Sequence, residues 1–287
     1  MLVVAALRWV DNRPGVDPLT GAVRTDVRTS GPSAADRCAL EYALRLAAAG
    51  GGRCVAVSVA PEAADAMLRQ ALAAGADEAL RVAVPEGGPD LDDGSATAAL
   101  LAGALGARYG RVDVVLCGDH SLDRGTGATP AFLADRLGAA QALGLRDLTL
   151  DGADRLRAVR RLDGGRQELL SVPLPAVCSV EAGDTRLRTA ALPALLASGS
   201  ATIPWVPGDT APGPVVRVRR SGPYRPRPRV LDAPGGSDPR DRWIALTGTL
   251  TGHRASRVVR PADAGAAADE LLAYLGERGY LERPGER

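Results

Sequence analysis

The sequence predicts an α/β protein with a parallel-sheet core, a β-rich edge and an extended C-terminal arm. Three observations carry that class. Short apolar runs at residues 2–7, 54–58, 79–84 and 112–117 are separated by segments of helical periodicity. Strands that alternate with helices imply right-handed crossovers and parallel pairing. After Gly138 the pattern shortens to pieces at 142–150, 156–162, 167–172 and 176–181, with Asp163-Gly164-Gly165-Arg166 as a hairpin signal between two of them. From Pro204 to Pro239 prolines, glycines and arginines (Arg217, Arg219, Arg220, Arg225, Arg227, Arg229) dominate, before an amphipathic segment at 263–280 carrying Leu271, Leu272 and Leu275. The expected division is a core over 1–205 and an arm over 206–287.

Residues 2–7 are the opening, central strand. Residues 12–33 carry Pro14, Gly15, Pro18, Gly21 and Pro32 and read as a loop, with a small hairpin around Leu19-Thr20-Gly21-Ala22-Val23. Ser33 is an N-cap for a helix over 34–49 whose Leu40, Ala43, Leu44 and Ala47 share one face. The second strand ends near Val59, and a helix over 62–74 turns Met67, Leu68, Ala71 and Leu72 inward before closing at Gly75. A strand at 79–84 and a loop at 85–94 lead to a helix over 95–109, which delivers the chain to 112–117. That run is apolar and β-branched without helical period, so it is a strand buried on both faces. Thr129 as a candidate N-cap and Pro130 at the first helical position open a helix to Leu137, with Phe132, Leu133 and Leu137 at helical spacing.

The chain is organised around that strand, loop and helix. Between Gly118 and Thr129 the loop offers glycines, hydroxyls and a run of backbone N–H groups ahead of a helix N-terminus, an arrangement suited to an anion. A tight strand-to-helix turn that needs glycine reads the same way. Parallel sheets bind ligands at the carboxyl ends of their strands. Arg8, Val59 and Asp119 all lie just past predicted strand ends, so a single crevice gathers them.

Composition removes several classes. Net charge is +1, which gives no electrostatic case for nucleic acid or an acidic membrane surface. All basic residues are arginines, so a Walker sequence, which needs a lysine, is absent. Cys38, Cys54, Cys117 and Cys178 are scattered, with no paired spacing for zinc or disulfides, which fits a reducing cytoplasm. The only histidine besides His120 is His253, too few for a metal site without a cysteine or carboxylate cluster. His120, Ser121 and Asp123 have the residue types of a hydrolase triad, but three side chains in four positions of one loop do not line up as acid, base and nucleophile. The opening Met1-Leu-Val-Val-Ala-Ala-Leu lacks a basic n-region, and the uncharged stretch at 189–208 is broken by Pro193, Gly199, Pro204 and Pro207, so neither a signal peptide nor membrane insertion is expected.

The loop's wording closely resembles the electron transfer flavoprotein family. In that family the strand is followed by Gly-x-x-x-Ile-Asp-Gly-Asp-Thr-Gly-Gln-Val-Gly-Pro and a helix ending Glu-Arg-Leu-Gly. Here Gly118, Asp123, Thr126, Gly127 and Arg136-Leu137-Gly138 match, while Arg124, Gly125, Ala128 and Pro130 depart. Further phrases keep the order: Ala6-Leu7-Arg8-Trp9-Val10-Asp11, Leu72-Ala-Ala-Gly-Ala-Asp77, the Asp163-Gly-Gly hairpin, Leu174-Pro-Ala-Val and Arg186 to Ala197. The resemblance, over nearly all of 1–205, is to the beta (small) subunit.

The resemblance implies a HUP-like core, akin to adenine nucleotide alpha hydrolases, that holds a structural AMP. The residues it assigns to the crevice are Ala6, Ser33, Val59, Gly118, Asp119, His120, Ser121, Leu122, Asp123, Arg124, Gly125, Thr126, Gly127, Ala128 and Thr129. It implies an electron-carrier subunit and no enzyme, paired with an alpha subunit that holds FAD, and fed by a flavin-dependent dehydrogenase. Electrons pass on to a quinone reductase or another acceptor. Leu192, Pro193 and Leu195, in a segment near 186–200, stand where the family's leucine anchors the dehydrogenase; pattern alone also allows Leu192 as ordinary core. The departures, including the absent basic stretch after Ala197, point to a specialised branch such as the bacterial set associated with mycofactocin-dependent alcohol oxidation. Two alternatives stay open: a stand-alone adenine-nucleotide sensor of the universal-stress type, and a second FAD in place of AMP.

Overall fold

Strand β1 (Leu2–Ala6) is buried along its whole length, and the sheet is built outward from it on both sides. The computed structural model describes residues 1–84, 93–183, 185–208, 222–224, 235, 237–247, 258–277 and 280. After β1 the chain forms two small antiparallel pairs, β2 (Val10–Asp11) with β5 (Ser30–Gly31) and, between them, β3 (Gly15–Val16) with β4 (Val23–Arg24). Then follow α1 (Ala34–Ala49), β6 (Arg53–Val59), α2 (Asp65–Ala74), β7 (Glu78–Ala83), α3 (Gly94–Tyr109), β8 (Val114–Gly118) and α4 (Thr129–Leu137). The second half of the sheet comprises β9 (Ala140–Asp151), β10 (Arg155–Arg161), β11 (Gln167–Pro173) and β12 (Ala176–Val180). Helix α5 (Leu192–Gly199) and a short strand β13 (Trp205–Pro207) come next.

Among the described residues nine strands form one sheet in the order β11-β10-β9-β12-β8-β1-β6-β7-β13. All neighbours are parallel except β9 with β10 and β10 with β11, which make the antiparallel edge. Because side chains alternate across a strand, β1 divides itself between two cores. Val3 and Ala5 pack with α1 and α2, through Leu40, Leu44, Met67 and Leu68. Leu2, Val4 and Ala6 pack with α3 and α4, through Leu101, Leu105 and Leu133. Many core positions are alanine, which lets helices lie close to the sheet.

The chain splits into two units, Met1–Tyr224 and Arg225–Arg287. Within the second, α6 (Pro239–Thr247) and α7 (Ala264–Glu277) are described, and neither contains a buried residue. Leu271 and Leu272 of α7 are exposed.

The structure departs from the sequence expectations in four places. The N-cap of α4 is Ala128, with no side-chain cap, and Thr129 is already helical. Phe132 is 43% exposed, leaving Leu133 as the fully buried residue of that helix. The segment after Pro204 contains β13, a strand that its prolines hide. Helix 62–74 begins as a 3₁₀ turn over Glu62–Ala64. The loop at 85–92, the six arginines between 217 and 229, and His253 lie outside the described residues.

Candidate functional site

The carboxyl ends of β1, β6 and β8 meet the starts of three helices, and a cleft opens there. Its walls are Ala6, Leu7, Arg8, Asp36, Val59, Gly94, Thr97, Leu101, Cys117 to Ser121, Arg124, Thr126, Gly127, Thr129 and Pro130, around about 750 Å³ of space continuous with solvent. The apolar part of the wall, Ala6, Val59 and Leu101, belongs to the sheet and α3. The polar part belongs to the loop from β8 to α4.

Two glycines make the cleft's shape possible. A Cβ on Gly118 would lie 2.9 Å from Asp36 Oδ1 and 3.1 Å from the Asp36 nitrogen, so only glycine lets β8 end against the start of α1. Gly127 has a φ of +60°, and its Cβ would lie 2.7 Å from the Asp119 carbonyl oxygen. The loop therefore folds back on its own beginning, which a side chain there would prevent. The starts of α3 and α4 also approach closely, since a Cβ on Gly94 would come within 3.0 Å of Thr129 Oγ1. Ala128 offers no side-chain cap; Pro130 has no N–H and the Ala131 N–H bonds to the Ala128 carbonyl at 3.1 Å, so the backbone donors at this end of the cleft come from the loop up to Thr129.

Charged groups pin the loop. Arg8 Nε donates to both carboxylate oxygens of Asp123, at 3.1 and 2.9 Å, tying the end of β1 to the loop across 115 residues. Burial pushes the Asp123 carboxyl up, but the hydrogen bonds from Arg8, Ser121 and the Arg124 N–H, with the Arg8 charge, together outweigh it and hold it below the usual carboxylate range. His120 sits on Asp119, its backbone N–H and ring Nδ1 both 2.9 Å from Asp119 Oδ1. Ser121 hydrogen bonds to Asp123. Histidine and serine thus have different carboxylate partners, and no relay joins them.

Asp36 lies at the back of the cleft, 5% exposed. It closes a capping box with Ser33: its Oδ2 accepts from the Ser33 N–H at 3.1 Å and the Ser33 hydroxyl at 2.8 Å, and Ser33 Oγ accepts from the Asp36 N–H at 3.0 Å. Burial pushes the Asp36 carboxyl up to about 6, against hydrogen bonds from Ser33 and from the backbone of Gly118 and Arg8.

Of the crevice residues assigned from the sequence, Ala6, Val59, Gly118, Asp119, His120, Ser121, Arg124, Thr126, Gly127 and Thr129 line one cleft. Ser33 is buried behind it, its hydroxyl committed to the cap. Leu122, Asp123, Gly125 and Ala128 belong to the loop without forming its wall. Asp36, Thr97 and Leu101 went unassigned; the spacing Ser33-x-x-Asp36 is a capping-box signature that marks the first.

A second, wider space of about 1690 Å³ lies on the other face of the sheet edge, among α1, α2, Ala182, Gly183 and residues 185–187. Beyond it, α5 packs on α2 and leaves Leu192, Leu195 and Leu196 exposed at 66%, 50% and 69%. Leu192 is therefore no part of the core. It is the first residue of α5, and Pro193 follows in the first turn.

Among the described residues no group of histidine, cysteine, aspartate or glutamate can hold a metal ion. No described helix is long and apolar enough to cross a membrane.

A model of the electron transfer flavoprotein domain matches residues 23–209. An electron transfer flavoprotein subunit beta of Thermoanaerobacterium thermosaccharolyticum is 33% identical over 170 residues, 58% of this chain and 62% of the relative. Protein FixA of Rhizobium meliloti is 30% identical over 177 residues, 61% of each chain. The human electron transfer flavoprotein subunit beta is 33% identical over 156 residues, 54% of this chain and 60% of the relative. The matches thus span about three-fifths of those relatives' own length.

Proposed function

The chain belongs to the electron transfer flavoprotein beta-subunit family, and from that premise we propose that it is the nucleotide-holding subunit of a heterodimeric electron carrier. It binds AMP in the cleft at the ends of β1, β6 and β8, pairs with an alpha subunit, and catalyses no reaction of its own. The observation that carries the reading is the coincidence of the cleft with the uncapped start of α4.

The residues present fit an adenosine monophosphate. Backbone N–H groups of the loop leading into α4, up to Thr129, and the hydroxyls of Thr126 and Thr129 suit the phosphate, beside the positive end of the helix. Ala6, Val59 and Leu101 suit the flat, apolar adenine. The bound nucleotide fills the cleft and ties the loop to the sheet edge, a structural role. FAD, held mainly by the alpha subunit, supplies the reversible electron chemistry of the pair. This chain's part is to complete and orient that subunit, with Leu192, Pro193 and Leu195 meeting a flavin-dependent dehydrogenase and a quinone reductase or similar acceptor downstream. We place the carrier in the cytoplasm and treat residues 206–287 as an arm against the alpha subunit.

Mass analysis of the supernatant from the heat-denatured complex tests the reading. We expect one AMP per chain, with flavin released only when the alpha subunit is present. Release of flavin from this chain expressed without a partner assigns the cleft to a second FAD, and a chain that is stable, nucleotide-loaded and without an alpha partner is a sensor.

A further inference from the structure

Helix α5 has only eight residues and no side-chain N-cap, too little to hold itself in place. Its position is set from outside, by packing on α2 along its length and by hydrogen bonds at both ends. At the far end Arg69 Nε of α2 donates to the Ala201 carbonyl at 2.9 Å. At the near end stands Glu41, in the third turn of α1 and 4% exposed. Its carboxylate accepts the Arg188 backbone N–H at 3.1 Å, Arg188 Nε at 3.0 Å and Arg188 Nη2 at 3.1 Å, and also Arg45 Nε at 2.8 Å.

Three bonds from one residue, two of them the parallel fork of a guanidinium, fix both where Arg188 is and how its backbone is turned. Leu192 follows four residues later, after Thr189, Ala190 and Ala191, which are too small to find anchorage of their own. We infer that Glu41 is the positioning residue for the exposed leucines of α5, fixing through Arg188 where Leu192 is presented to the redox partner; this rests on the docking role proposed above. Burial works to raise the Glu41 carboxyl, yet the Arg188 and Arg45 hydrogen bonds outweigh it and hold it below the usual range, so it stays ionised for this task. Glutamine keeps the size but offers a single acceptor oxygen and no charge, so it cannot reproduce the fork.

The test uses the full chain in complex with its alpha subunit and a flavin-dependent dehydrogenase with which the wild-type complex turns over. Four forms are compared: wild type, Glu41→Gln, Leu192→Ala and the double variant. A positioning residue raises the KM for the carrier by about tenfold, leaves kcat at saturation unchanged, and adds nothing once Leu192 is truncated. Fully multiplicative effects in the double variant, or an unchanged KM in Glu41→Gln, overturn the inference. Should Glu41→Gln fail to fold, Arg188→Lys keeps the charge, loses the fork and is read the same way.

Amide hydrogen exchange over residues 189–199, measured without the dehydrogenase, separates the two readings. If Leu192→Ala leaves KM unchanged, the docking role falls and the clamp is judged by exchange alone. Faster exchange there in Glu41→Gln, with the rest of α1 unchanged, supports the clamp, and unchanged exchange overturns it.

Discussion

Two carboxylates of α1 lie five residues apart, Asp36 at 5% exposure and Glu41 at 4%, and they are held in opposite ways. Asp36 faces the cleft and receives neutral donors, the Ser33 hydroxyl and backbone N–H groups, so burial dominates and its proton is retained up to about 6. Glu41 faces the entry to α5 and receives two guanidinium groups, which keep its proton off. The first region is shaped by backbone and glycine, the second by side-chain ions. Equal exposure thus goes with different chemistry, set by how deeply each carboxyl is packed and by whether its donors carry charge.

The largest expected effect breaks this comparison through pH. Folding raises the Asp36 pKa, so the folded chain holds a proton that the unfolded chain gives away. Its contribution is fully present below the unfolded value of 3.8 and is lost as pH rises through about 6. At roughly 1.4 kcal/mol per unit, that loss amounts to about 3 kcal/mol. Glu41 runs the other way: its contribution is present above the unfolded value and is lost as pH falls through the lowered folded one. Urea melts of wild type and Asp36→Asn between pH 4 and pH 7 should show the wild-type decline absent from the variant. Parallel profiles for the two proteins would mean that Asp36 ionises as an ordinary carboxylate.

A smaller effect is expected where backbone does the work. Valine at Gly127 meets both the left-handed φ and the Asp119 carbonyl, and should cost about 1–3 kcal/mol of stability. The same change displaces the loop, so released AMP should fall below one per chain. Thr126→Val, which spares the backbone, should weaken AMP retention with little change in the melting temperature. A Gly127→Val protein that melts normally and keeps its AMP would show that the loop is not built on this residue.

The smallest change in stability is expected at the ion-held region's display surface. Leu192→Ala should alter stability by no more than about 0.5 kcal/mol, because nothing buried is lost. Coupling to the dehydrogenase should nonetheless weaken by about 1–3 kcal/mol. Thermal melts beside electron-transfer rates read both numbers on one preparation.

The parallel core was legible because its signals are local: β-branched runs at 2–7 and 112–117, and a helical face through Leu40, Ala43 and Leu44. The cleft was largely legible for the same reason, since strand ends and a glycine loop name their neighbours in advance. What escaped depends on distance in sequence. Arg8 meets Asp123 across 115 residues and Glu41 meets Arg188 across 147, and nothing in either stretch announces the other. Local rules also mislead at borders. Thr129 is a better cap than Ala128 by propensity, yet it is already helical and lies close against Gly94 at the start of α3.

The strand that composition concealed, β13, has a consequence at the rim of the sheet. The Arg81 N–H donates to the Pro204 carbonyl at 3.0 Å, and the Gly208 N–H donates to the Ala83 carbonyl at 2.9 Å. Alternation then turns the backbone groups of Trp205 and Pro207 away from β7. At the second of these outward positions proline has no N–H to offer, and beside the first the exposed Trp205 ring lies under the Arg81 guanidinium, 5.9 Å from its centroid. A sheet of nine strands has a long reach for stray chains, and here its last rung lacks the donor that a tenth would grip. Pro207, one of the prolines that disguised the strand in the sequence, leaves this edge a donor short and so disfavours pairing with a further strand.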